Sequence, residues 1–302
     1  MTHRWLLPLM VLGISMASTA IWAADRAAVT APGAEVRLLA DGFKFTEGPA
    51  CDAAGNVYFT DQPNDRILVW TIEEKLETFM QPAGRSNGLT FDAQGMLWAC
   101  ADEKNQLWRI DPKTKQHTVV VRDFEGKLLN GPNDLWCRPQ GGLYFTDPYY
   151  KRPYWNRGPS ESPQAVYFLS ADGKRLARVA DDLEQPNGII GTPDGKTLYV
   201  ADIKAKKTYR YTIAADGSLS GKTLFCEAGS DGMTIDNEGN IYLTGKGVMV
   251  FNPMGEKIQQ IDVPENWTAN VCFGGKEKSR LFITASRGLY AVDMRTRGVD
   301  AQ

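Results

Sequence analysis

Six polar residues recur along the chain, each at the start of a short apolar run. They are Glu47, Asn87, Asn133, Asn187, Asp231 and Asn270, at spacings of 40, 46, 54, 44 and 39 residues. Two carry carboxylates, four carry amides and none carries a positive charge. Gathered into one small volume, the carboxylates would repel one another. A hard divalent cation held by carboxylate and amide oxygens offsets that repulsion, and calcium, with roughly 6–8 oxygen ligands, leaves room for water or substrate. Asn-Gly and Asp-Gly are also common turn formers, which is enough to account for Asn87 or Asn270 taken singly. Glutamate has no such role in turns, so Glu47 in FTEGP calls for another reason.

Scarcity narrows the chemistry further. The chain has two histidines, His3 and His117, so a softer metal held by imidazoles is disfavoured. A Ser-His-Asp triad is likewise disfavoured, and no G-x-S-x-G is present. There is no H-E-x-x-H, no P-loop and no complete G-x-G-x-x-G. The formal net charge of -2 gives no electrostatic reason to expect a nucleic-acid partner. Catalysis would have to come from a metal and carboxylates.

The elements that position these residues are strands. Each polar residue opens a unit of apolar run, tight turn and second apolar strand, as in EGPACDAAGNVYFTD from Glu47 and NGIIGTPDGKTLYVAD from Asn187. A third strand follows in every unit (RILVWTI, QLWRID, AVYFLS, KTYRYTI, GVMVFN, GLYAVD). A fourth, more polar strand follows in the first five. A period near forty with several short strands per unit predicts an all-β, six-bladed β-propeller with four-stranded blades. The sixth unit lacks its fourth strand, and AEVRLLA, residues 34–40, is predicted to supply it and close the ring. The widest spacing reflects an insertion, TDPYYKRPYWNRGPSESPQ, predicted to lie as a loop over one face. In such a ring the six polar residues stack around the axis. Arg85, Tyr149, Tyr150 and Trp155 are candidate substrate contacts near them.

The first residues run from basic MTHRW through apolar LLPLMVLGISMA to small residues, the layout of a secretory signal peptide over residues 1–23, with cleavage after Ala20 or Ala23. Export, to a bacterial periplasm, is the expectation, with no membrane span in the mature chain and a propeller over residues 34–302. The five cysteines form no C-x-x-C pair and read as small buried residues, with a disulfide left open.

Taken in order and spacing, F-T-E-G-P, G-P-N-D-L followed by Y-F-T-D-P, Q-P-N-G-I and S-D-G-M resemble the senescence marker protein/regucalcin/gluconolactonase family of propellers. The resemblance runs from about residue 35 to the end. It implies a divalent metal, commonly calcium, with zinc, manganese or magnesium as other occupants, bound by Glu47, Asn187 and Asp231. It implies contact of Asn133 with metal or substrate; Asn87 is a further candidate substrate contact. It implies Asp231 as general base in hydrolysis of a small-molecule sugar lactone, gluconolactone by default, to the aldonic acid. Some lactonases of the family carry an arginine where this chain has Gly131. Two alternatives share the fold: a phosphoester hydrolase similar to diisopropyl fluorophosphatase, and a non-catalytic sugar- or partner-binding propeller with structural calcium.

Overall fold

A computed structural model describes Met1 and residues 28–299. The expected leader therefore lies outside the described residues, apart from Met1. Those residues form six four-stranded antiparallel sheets. The innermost strands are Thr46–Cys51, Ser86–Phe91, Leu135–Cys137, Pro186–Gly191, Met233–Ile235 and Thr268–Gly274, opening blades 1 to 6. Each packs against the next, and the sixth packs against the first, so the ring is closed. The closing strand is Arg37–Ala40, antiparallel to Gly288–Asp293 on the outer edge of blade 6, as the orphan AEVRLLA predicts. This removes an exposed edge where the ends of the ring meet.

Local chemistry sets the blades. The hairpins after the inner strands of blades 1, 2 and 5 turn on Asp-x-x-Gly. Asp52 Oδ1 accepts from the Ala54 and Asn56 amides at 2.9 Å, and Asp92 Oδ1 does the same for Gln94 and Met96. Such Asx turns satisfy backbone donors that water would otherwise have to reach. The second strands read VYFTD, LYFTD and TLYVAD, with faces buried on both sides, because each blade is sandwiched between two others. Six apolar clusters result, one at each junction between neighbouring blades. The outermost strands are largely exposed or half-buried, which explains their more polar sequences. The five cysteines are unpaired thiols, buried or half-buried in this packing. Among the described residues no helix is long and apolar enough to cross a membrane.

Candidate metal and catalytic centre

The inner strands all start at one end of the channel, and the last residue of three second strands fixes how they start. Asp61 Oδ1 accepts from the Lys44 and Phe45 amides, leading into Glu47. Asp147 accepts from the Asn130 and Gly131 amides, both at 2.8 Å, leading into Asn133. Asp202 accepts from the Glu184 and Gln185 amides, leading into Asn187. The T-D and A-D endings thus dock the incoming chain so that the next residue faces the axis.

Pairing with the second strands gives the register. Ala50, Thr90, Trp136, Ile190, Thr234 and Cys272 each pair with the aromatic residue of the adjacent strand, from Tyr58 to Phe282. Three residues earlier stand Glu47, Asn87, Asn133, Asn187, Asp231 and Ala269. Five of the six polar positions predicted from the repeat form the ring at this end. The sixth is a correction: Ala269 takes the place, and Asn270 lies one residue deeper. Two backbone bonds agree, since Gly88 donates to the Asn133 carbonyl and Gly232 to the Ala269 carbonyl. A repeat aligned by residue type cannot see a slip of one, so Asn270 stands in for the residue before it.

Four of the five polar ring residues are buried, Asn187 to 1% and Glu47 to 3% exposure, and Asp231 is half-buried. Gly48, with φ +41, adopts a left-handed conformation and donates its amide to Glu47 Oε2 at 2.9 Å. A side chain there would strike the Asn87 carbonyl, so glycine is required by close approach as well as by φ. Asn187 Nδ2 donates to Asp231 Oδ1 and to the Tyr150 hydroxyl, both at 2.9 Å. Trp267 Nε1 donates to Asp231 Oδ2 at 2.6 Å. With both donor hydrogens used, the Asn187 amide must present its oxygen, and that buried oxygen has no partner; nor has Asn87 Oδ1.

Electrostatics agree with this arrangement. Burial, then the charge of Asp231, pushes Glu47 well above the usual carboxylate range. Burial raises Asp231 to about 6 against the opposing Trp267 and Asn187 hydrogen bonds. Burial raises Asp134 to about 7. Carboxylates that resist ionisation beside partnerless amide oxygens are the kind of donors that a hard cation takes. Among the described residues no three His, Cys, Asp or Glu side chains are grouped to hold a metal, so a cation at this ring would need amide oxygens as ligands too.

The insertion lies over the same end. It is anchored on Asp102, whose Oδ2 accepts from Arg152 Nε at 3.0 Å, Tyr154 Oη at 2.5 Å and Gln62 Nε2, while its carbonyl accepts from Trp155 Nε1. Arg152 sits over the Tyr150 ring and its charge opposes the repulsion at Glu47 and Asp231. Of the predicted contacts, Tyr150 touches Asn187. Tyr149 is placed in the insertion's own packing, beside Trp155 and Arg157. Arg85 is turned onto the Pro63 carbonyl and the Tyr154 ring. Gly131 has no room for more: an added Cβ would lie 2.7 Å from Asp102 Oδ1 and 3.0 Å from the Trp155 ring. Trp267, Arg152, Asp102 and Asp134 were not read from the sequence as site residues. Asp134 had a local signal, since N-D replaces the N-G or D-G of other repeats.

Residues 45–287 match the family model described as the SMP-30/gluconolactonase/LRE-like region. The chain belongs to this family. The gluconolactonase of Zymomonas mobilis is 31% identical over 298 residues, covering 87% of this chain and 82% of that protein. A Xanthomonas campestris gluconolactonase structure superposes with a TM-score of 0.82 at 29% identity, covering 88% of this chain and 91% of that one. A calcium-binding regucalcin from Agrobacterium tumefaciens shares the fold, with a TM-score of 0.75 at 21% identity, covering 87% and 95%. The SMP-30/gluconolactonase match spans the ring from Phe45 to Arg287 and thus all the residues that converge at its insertion end.

Proposed function

We propose that this protein is a divalent-metal-dependent lactonase that opens a sugar lactone, gluconolactone by default, to the aldonic acid. The observation that carries the proposal is the Asn187 oxygen, buried and without a partner beside two carboxylates that disfavour ionisation. The gluconolactonase names of the relatives support the substrate class. A calcium ion held by Glu47, Asn187, Asp231 and Asn133 would supply Lewis acidity to the ester carbonyl and offset the carboxylate repulsion.

The chain's own groups divide the remaining work. Asp231, held at both oxygens by Asn187 and Trp267, takes the proton from water as the water oxygen bonds to the carbonyl carbon. A carboxylate raised to about 6 is a better base near neutral pH than an ordinary aspartate. The ring C–O bond then breaks, and the leaving oxygen regains a proton to give the hydroxy acid. The Tyr150 hydroxyl accepts from Asn187, which leaves its own hydrogen to donate to a lactone oxygen. Asn133 and Asn87 orient the sugar hydroxyls, and the insertion shields the site from bulk water. The N-terminal layout supports export to the periplasm as the setting.

The test is a lactone panel run with chelator and then with calcium restored. Turnover that is lost and regained supports the proposal; a metal-loaded protein inert toward every lactone overturns it.

A further inference from the structure

Asp134 and Asn270 reach the channel axis one residue beneath the polar ring. The same depth is occupied by Gly48, Gly88, Gly188 and Gly232 in the other four blades. Blades 3 and 6 face each other across the ring, and Asn270 Nδ2 donates to Asp134 Oδ2 at 3.3 Å. Each side chain is also tied to its own strand: Asp134 Oδ1 accepts from the Leu135 amide at 3.0 Å, and Asn270 Oδ1 from the Val271 amide at 2.8 Å. Both are buried, at 6% and 5% exposure.

The glycines make room for this pair. An added Cβ on Gly232 would overlap the Asn270 amide, and one on Gly88 would come within 2.8 Å of the Asp134 Cα and Oδ1. The pair therefore rests on the backbone directly behind Asp231 and Asn87. Below it opens a cavity of 950 Å³ that Asp134 and Asn270 line and the ring residues do not. Space filling alone is a poor explanation, since an apolar pair would fill the axis without burying a third carboxylate near Glu47 and Asp231.

We propose that Asp134 and Asn270 are positioning residues, a bolt across the axis that floors the catalytic site, separates it from the lower cavity and sets the spacing of Asp231 and Asn87. This rests on the proposed cation at the ring. The experiment measures the calcium-induced rise in melting temperature of the full chain, its calcium affinity, and kcat and KM on gluconolactone. Asn270→Ala should weaken calcium binding by about tenfold or more, the range seen for groups that orient metal ligands. The exchange Asp134→Asn with Asn270→Asp, which rebuilds the bond in reverse, should recover most of that loss. Gly232→Ala, which leaves both residues in place but displaces Asn270, should reproduce the Asn270→Ala defect and gives a second route should that variant not fold. Lower stability in chelator with unchanged calcium affinity, or an exchange no better than Asn270→Ala, overturns the bolt and leaves the lactonase reading standing. A wild-type protein indifferent to calcium overturns both.

Discussion

The two ends of the channel are made by the same six strands and differ in how their polar groups are satisfied. At the end facing away from the insertion lies a cavity of 950 Å³, rimmed by hairpin turns. Two of its acids are saturated: Asp92 accepts from Trp98 Nε1, the Arg109 guanidinium and two backbone amides, and Asp52 from Asn56 Nδ2 and two amides. At the insertion end the ring is tight and buried, yet two amide oxygens have no partner and the carboxylates are held above their ordinary range. The unsatisfied polar atoms mark the insertion end as the place for a ligand in the function proposed, because a buried acceptor without a donor costs stability that a ligand can return.

That contrast can be broken most sharply at Asp231. Asp231→Asn keeps an oxygen toward the ring but removes the base, so kcat should fall by about 10²–10⁴ with the fold intact by circular dichroism. An unchanged kcat would strip Asp231 of that role. Glu47→Gln should come next, with clearly weaker calcium affinity by calorimetry and a more stable cation-free protein, since a repelling carboxylate is gone. Equal occupancy at limiting calcium would remove Glu47 from the metal set.

Titration gives a third check. Burial raises Asp231 to about 6 and Asp134 to about 7, and raises Glu47 too. Their favourable contribution is fully present below the ordinary carboxylate value of about 4 and is lost as pH rises through 6 to 7, because the folded ring must then release protons into a repulsive set. In chelator the melting temperature should therefore be higher near pH 5 than near pH 8, and calcium should flatten the difference. A flat profile without calcium would mean that the carboxylates do not interact as described.

A smaller effect is expected at Asp102. Asp102→Asn loosens Arg152 and Tyr154, so KM should rise severalfold while kcat changes little. The smallest effect on activity belongs to the opposite end. Asp92→Asn weakens its contacts to Arg109 and Trp98 and should lower stability by about 1–3 kcal/mol in urea unfolding, with kcat/KM within about twofold of wild type. A large loss of activity there would erase the distinction between the ends.

Six blades, four strands in each, the closing strand and the first five ring positions were legible because they depend on period-2 alternation, Asp-Gly turns and one recurring polar residue, all set within about twenty residues of chain. The insertion was visible as a widened spacing and an aromatic-rich composition. What composition could not say was which aromatic meets the ring: Tyr150 meets Asn187 while its neighbour Tyr149 packs against Trp155 and Arg157. Trp267 carried no motif at all, and its bond to Asp231 joins residues on neighbouring blades. Local sequence thus determined the repeat and the donor types. Tertiary structure decided the slip that puts Ala269 in the ring and Asn270 beneath it, and the meeting of Asn270 with Asp134 from opposite blades. Such contacts form only when the ring closes, and strand register at the closing blade is set by packing against both neighbours, which no single repeat encodes.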